Sequence, residues 1–394
     1  MLLKRAACLL LGIMLLLSGC QHSNRTQETE QPAQTTLSPA PSIIPPTPAI
    51  RLLKNVRSVQ MMDAMHGWVF TETSILRTDD GALTWKNVTP QNDGMTADMR
   101  LEGNVPQASF IQPNVAILAV PQLNNGTILL FRTQDEGQSW TKTEVKSTRF
   151  PDGTPTVTDF SFTDINTGWM LISYGSAMGS ESVEIFHTND GSANWQSVGV
   201  TVDPSHPDQP EALPFTGIKN GLSFHSLQDG WISGFWHGDG IWLYATHDGG
   251  SKWTDQPIQA PEGISVDGGA VTTYPPQFFA NQKGILPIQF SLTTLIFYVS
   301  QDGGASWQAT TPLRSTTDEP FVWSFADSVH GFATDGNELF YTSDGAKTWD
   351  TVPHSISYKG TLGLNFITSQ NGYAYGSDWM KKTMDGGFSW QEVE

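Results

Sequence analysis

The residues best suited to chemistry lie in one glycine-rich segment, Gly234-Phe235-Trp236-His237-Gly238-Asp239-Gly240-Ile241-Trp242. Trp236, His237 and Asp239 there combine an indole face, an imidazole and a carboxylate. Such a set can stack on a sugar ring or grip a peptide edge. A competing reading carries more weight: Trp242 as a strand residue and Trp236 as a packing residue. Hydrolysis of a glycosidic bond needs two facing carboxylates at a set separation, and Asp152, Asp159, Glu181, Asp239 and Asp267 are candidates. His206 and Asp208 sit in the proline-rich run Asp203-Pro204-Ser205-His206-Pro207-Asp208. No second His–carboxylate pair accompanies them, so a solvated loop is expected and no metal site. No nucleophile elbow, phosphate loop, Cys–His pair or zinc helix is present in the sequence, and no cofactor is expected.

Such side chains must be held by something, and the strongest pattern in the chain is a repeat. Ser or Thr, any residue, Asp, then Gly, with Trp five residues after the Asp, occurs seven times. The Asp–Trp pairs are Asp80 and Trp85, Asp135 and Trp140, Asp190 and Trp195, Asp248 and Trp253, Asp302 and Trp307, Asp344 and Trp349, and Asp385 and Trp390. Seven of the 14 Trp therefore occupy one slot. The Asp carboxylate can accept N–H groups of its own turn, Gly supplies positive φ, and the Trp covers the hairpin. Ala82 and Ala346 replace the fifth-position Gly, where the preceding Gly81 and Gly345 could serve instead. Ser192 and Asn194 make the third copy the least regular.

A second pattern precedes each copy: an apolar or aromatic residue, a few polar ones, then Gly and an aromatic. It reads Met62-Asp63…Gly67-Trp68, Phe162-Asp164…Gly168-Trp169, Phe224…Gly230-Trp231, Phe325-Asp327…Gly331-Phe332 and Phe366…Gly372-Tyr373. Phe279…Gly284-Ile285 is a weaker copy, and Phe110…Val115-Ala116 has lost the Gly. In the first unit the spacing predicts strands at Val56–Met62, Trp68–Glu72, Ile75–Thr78 and Trp85–Val88.

The recurring turn resembles the Asp-box, or BNR repeat. The double pattern is most similar to the seven-bladed photosystem II assembly factors (the Ycf48-like group) and related bacterial propellers. Sialidases, xyloglucanases and sortilin-type receptors share the box, so the likeness is specific for fold and poor for function. It implies an all-β fold over residues 51–394, a seven-bladed β-propeller of four-stranded antiparallel blades. In such blades the A–B and C–D turns share one end, so all seven boxes decorate one face and are expected to be structural. The opposite face carries long D–A connections at Pro90–Pro106, Thr201–Thr216 and Ala260–Pro276. It also carries long B–C loops at Pro121–Thr127, Ser173–Glu184 and Ser233–Ile241. Binding is expected there, near blades three to five. Ring closure is expected between the first and last blades, with a strand from about Ile50–Asn55.

Sialidases with this box clamp a carboxylate with three arginines. The body offers Arg51, Arg57, Arg77, Arg100, Arg132, Arg149 and Arg314, but the sialidase sequence Phe-Arg-Ile-Pro is absent. Arg77 and Arg132 share a slot just before their boxes, which reads as repeat geometry. The assembly-factor likeness implies an Arg-rich partner patch, which this acidic chain does not display.

The chain's 394 residues hold 21 basic and 39 acidic side chains, a net charge of −18, with 37 Gly, 24 Pro and only 15% charged residues. This argues for a turn-rich β protein and against a nucleic-acid binder or electrostatic docking to anionic lipid. The N-terminus supplies an address. Lys4 and Arg5 precede an apolar run, Ala6–Leu17, too short to span a bilayer and suited to a signal peptide. Leu17-Ser18-Gly19-Cys20 resembles a bacterial lipobox, which implies cleavage before Cys20 and lipidation of it. Residues 1–19 are thus read as a lipoprotein signal peptide. Residues 20–50, rich in Pro, Thr and Gln, are read as a lipidated Cys and disordered tether. Cys8 leaves with the signal, so the mature chain has no possible internal disulfide.

The sequence thus leads to a membrane-tethered, extracytoplasmic, monomeric scaffold that binds a protein or glycan at the face opposite the boxes and has no catalytic residues. The alternative is a surface glycoside hydrolase of the sialidase or xyloglucanase-like propeller type.

Overall fold

The computed structural model describes residues 53–91, 105–122, 126–201, 213–266, 271–315 and 317–393. The signal segment, Cys20, the whole tether, Arg51, Arg100, His206, Asp208 and Asp267 lie outside the described residues. Among the described residues there is no α-helix, only a 3-10 turn at Ala280–Gln282.

Three four-stranded antiparallel sheets come first. They are β1 (Val56–Met61) to β4 (Lys86–Asn87), β5 (Gln107–Gln112) to β8 (Thr141–Lys146), and β9 (Thr156–Phe162) to β12 (Gln196–Val200). A ten-stranded sheet follows, β13 (Ile218–Phe224) to β22 (Leu313–Arg314). Within it, β17 (Val271–Thr273) pairs with both β14 (Gly230–Phe235) and β19 (Gly284–Phe290). The strand β17 thus turns part of the expected Ala260–Pro276 loop into a splice between neighbouring sheets. Two further four-stranded sheets complete the order, β23 (Val322–Phe325) to β26 (Asp350–Val352) and β27 (Gly363–Phe366) to β30 (Gln391–Glu392). Strands of the first unit fall within a residue or two of their sequence-based positions.

The two sequence patterns meet in the core. In three repeats the Phe six residues before the Gly slot lies face-on to an aromatic of the preceding repeat. Trp68 stacks on Phe110 at 5.5 Å, Trp169 on Phe224 at 3.8 Å, and Phe332 on Phe366 at 3.5 Å. The same Phe meets the turn Trp of its own repeat edge-on, as in Phe224–Trp253 and Phe366–Trp390. The edge-on contacts gain beyond area burial because the ring edge is positive and the face negative. Every apolar cluster draws on two consecutive repeats. One of them joins the first repeat to the last, through Leu53, Val59 and Met61 against Tyr373, Tyr375 and Met380.

Backbone bonds close the same junction. Val56 N–H donates to the Ser377 carbonyl at 2.8 Å, and Met61 N–H to Asn365 Oδ1 at 2.6 Å. Leu53 packs there, and residues 53–55 form no strand.

Four sequence assignments shift. Met61, not Met62, takes the Phe slot of the first repeat, since it pairs with Gly67. Phe278, not Phe279, takes it in the fifth, pairing with Gly284. In the second repeat Ala116 fills the Gly slot opposite Phe110, and Ile117 the aromatic one. The fourth concerns Ser173–Glu184, which is not a loop: β10 (Gly168–Ala177) and β11 (Ser180–Thr188) run on as a hairpin around Met178-Gly179.

Candidate functional site

At all seven acidic turns the Ser or Thr hydroxyl donates to the Asp Oδ1, at 2.8–3.0 Å. That hydroxyl oxygen also accepts the N–H four residues on, at 2.8–3.0 Å. Oδ1 then accepts the N–H four residues after the Asp, Thr84 in the first turn and Ser306 in the fifth. Oδ2 accepts a side chain in six turns, for instance Ser306 Oγ at 2.6 Å. Lys252 takes that position in the fourth turn and makes no such bond. The hydroxyl of Thr84 is the main cause holding the Asp80 carboxyl down to about 2.

The two residues after each Asp both have positive φ. Ala82 (+70°) and Ala346 (+67°) adopt it themselves, so Gly81 and Gly345 do not substitute for them. Glu136 (+67°) and Ser192 (+70°) do the same in the second and third turns. The first of these two residues also donates its N–H to the turn between the repeat's first two strands. Gly81 donates to Met65 O, and Gly303 to Gln282 O. Both kinds of turn therefore share one end of the molecule.

At the other end, Trp236 and His237 are not a free platform. Trp236 is half-buried and packs against the core cluster around Trp169 and Trp242, folding over Gly238. Trp242 is buried but sits just before β15 (Leu243–Thr246), outside the strand. His237 is exposed and lies over Gly179 at the β10–β11 tip, and Asp239 is exposed on the same loop. Trp236, His237 and Asp239 lie on one loop, and its surroundings are the neighbouring hairpin and core.

The carboxylate candidates separate. Asp159 accepts the N–H of Leu222 in the next repeat at 3.0 Å and that of Phe160 at 2.8 Å. Burial pushes its carboxyl up to about 7 against these bonds, although the residue keeps part of its surface open. Glu181 is 5% exposed and accepts Ser173 Oγ and the N–H of Lys219, each at 2.6 Å. Asp152 is exposed on a separate loop. Sequence reasoning missed Lys219, whose ammonium donates to the carbonyls of Phe215, Thr216 and Gly217 and lies 5.5 Å from the Trp242 ring. Burial lowers it to about 8, opposed by Glu181. A lone Lys amid apolar strand residues was the available signal.

The shared arginine slot proves to be a cross-brace. Arg77 lies over Trp68, donates Nε to Pro113 O of the next repeat, and pairs with Asp79 and Glu136. Arg132 donates Nη2 to Ile165 O of its own next repeat at 2.5 Å, but its Nε and Nη1 are buried without partners. The equivalents of Trp68, Asp79 and Glu136 are here Ile117, Gln134 and Gly191. Burial pulls the Arg132 guanidinium below its ordinary value. Of the other described arginines, Arg57 faces Glu72 at 3.7 Å, while Arg149 and Arg314 stand exposed. No three arginines converge among them.

Three cavities open at the acidic-turn end. One of about 250 Å³ lies beside Asp344 and Lys347, and one of about 400 Å³ beside Phe388 and Tyr341. The third, about 300 Å³, lies where the third, fourth and fifth repeats meet. Among the described residues no group of three or more His, Cys, Asp or Glu could hold a metal ion.

No protein-family model matches the chain, and no curated protein matches it. Solved structures do. The architecture is similar to that of YCF48 bound to a D1 peptide, with a TM-score of 0.53 at 16% identity, over 84% of this chain and 92% of that one. It is also similar to the GH74 xyloglucanase from Xanthomonas campestris, with a TM-score of 0.55 at 11% identity, over 84% of this chain and 52% of that one. The chain thus spans about half the xyloglucanase. At these identities the likeness defines the fold: this protein is a β-propeller.

Proposed function

We propose that this protein is a seven-bladed Asp-box propeller, lipid-tethered through Cys20 on the extracytoplasmic side of the cell membrane, and that it is a non-catalytic binding or assembly scaffold. Its partner is a protein or glycan held at the loop face opposite the acidic turns. Seven acidic turns and apolar clusters shared by successive repeats, first and last included, support the blade count. Leu17-Ser18-Gly19-Cys20 supports the anchor.

The observation that carries the non-catalytic reading is the fate of the buried acids. Asp159 and Glu181, the candidate carboxylates best shielded from water, spend their oxygens on N–H and O–H groups of the fold. A general acid or nucleophile must instead present an oxygen to the substrate. The likeness to both an assembly factor and a hydrolase decides nothing between these roles.

The test is capture from solubilised membranes with the full chain as bait. The reading expects specific capture by the wild type, loss with Trp236→Ala and His237→Ala combined, and retention with folded Asp302→Ala. Capture lost only in the acidic-turn variant would place recognition on the wrong face.

A further inference from the structure

We propose that the cavity shared by the third, fourth and fifth repeats, at the acidic-turn end, is a binding site for a neutral sugar ring. This site is separate from the loop face assigned above to the partner, and it stands whatever that partner is.

The cavity is walled by the rings of Phe162, Phe224 and Phe278, with His225, Ser223 and Gln282 supplying hydrogen-bonding groups. Thr163 and Phe279 complete it, and no charged side chain lines it. In a chain of net charge −18, an uncharged recess selects against ionic ligands of either sign. Its volume, about 300 Å³, is at the small end of ligand sites and suits one ring. Four side chains with hydrogen-bonding capacity around so small a space decide the ligand's chemistry. An apolar side chain of a peptide would strip their water and leave them unpaired. A pyranose offers hydroxyls to those groups and C–H faces to the partly exposed rings of Phe162 and Phe278, Phe224 being buried against Trp169.

The local backbone departs from the repeat at this point. In the first, third, fourth, sixth and seventh repeats the turn after the Phe slot is capped by a side-chain oxygen. Asp63, Asp164, Ser226, Asp327 and Thr368 each accept two turn N–H groups. The fifth repeat has Ala280 there and no side-chain cap. Its turn instead places Asn281 (φ +62°) and Gln282 (φ +60°) in succession in the left-handed region. Two successive non-glycine residues held there are strained. The distortion sets Gln282 on the cavity rim and adds Phe279 to its wall. His225 is fixed as well, stacked 5.5 Å from Trp231 and tilted 4.6 Å from Phe278. Trp231 is thus a built-in reporter.

The full-length protein in detergent is titrated with cellobiose, chitobiose, maltose and lactose, and with N-acetyl-tyrosinamide as the aromatic probe. Trp emission and saturation-transfer NMR follow the binding. At least one disaccharide is expected to bind saturably and more tightly than the aromatic probe. Gln282→Ala, an exposed change, is expected to weaken it at least tenfold at unchanged melting temperature, and His225→Ala to weaken it as much in the folded protein. Phe388→Ala, an exposed change beside the separate cavity of the last two repeats, is expected to leave it unaltered. No saturable sugar binding, binding that survives Gln282→Ala, or tighter binding of N-acetyl-tyrosinamide would overturn the proposal.

Discussion

The carboxylate of Glu136 lies 3.3 Å from the guanidinium of Arg77 in the repeat before it. Arg77 is almost fully buried, and Asp79 pairs with its Nη1. One repeat later the same slot holds Arg132, equally buried, with Nη1 and Nε unpartnered. A buried cation without a counter-ion is unstable because desolvation is not offset. Gln134→Asp installs the equivalent of Asp79 two residues after Arg132. It is expected to raise stability by about 1 kcal/mol, read as a higher melting temperature at low salt. A lower or unchanged melting temperature would show that the two slots are not equivalent.

The acidic turns differ in one bond. Ser306 Oγ donates to Asp302 Oδ2 at 2.6 Å and holds that carboxyl below its ordinary range. Asp302→Ala strands the N–H of Ser306 and the hydroxyl of Ser300 and is expected to cost about 1–3 kcal/mol in urea unfolding. The sign with pH follows from the depressed folded value. Stability is present above the ordinary carboxylate range and lost as pH falls through the folded value. Asp80, at about 2, gives its part of that loss between about pH 4 and pH 2. Asp80→Asn should flatten acid unfolding in that window; an unchanged acid limb would remove these turns from the stability account.

Asp159 works in the opposite direction. Its folded value is raised to about 7 by burial, so its stabilising effect is complete below about pH 4 and is lost as pH rises through 7. Asp159→Asn keeps an oxygen for the Leu222 N–H and removes the charge. Melting temperatures at pH 5 and pH 8 are expected to differ less in the variant than in the wild type. An identical difference in both would mean that the carboxyl is not desolvated in the folded protein.

Much of the architecture was legible because the two repeat patterns are the two halves of one packing unit. A Gly, its aromatic and the Phe six residues earlier fix the strand pair, and the acidic turn fixes the next. Where the pattern blurred, at Phe278-Phe279 and Val115-Ala116, only the constant spacing of six gave the register, and a one-residue slip exchanges the two faces of a strand. The hairpin at Met178-Gly179 was hidden by Gly175 and Gly179, which look like loop residues. Here Gly175 (φ +117°) sits where the β10–β11 pairing slips between Ser173 and Ser176, and Gly179 (φ +78°) forms the tip. Site residues were less legible for a physical reason. Asp159 and Glu181 look like free acids in a list of residues, but their partners Leu222, Ser173 and Lys219 come from pairings no local pattern announces.

Hydrolytic turnover tests the central claim most directly. Purified full-length protein is incubated with neutral polysaccharides and sialosides, and release of reducing ends or sialic acid is measured against protein-free blanks. A scaffold whose buried acids are tied into its own backbone predicts no release above the blank, for the wild type and for Asp159→Asn and Glu181→Gln alike. Release by the wild type that disappears in a folded single-carboxylate variant would contradict it.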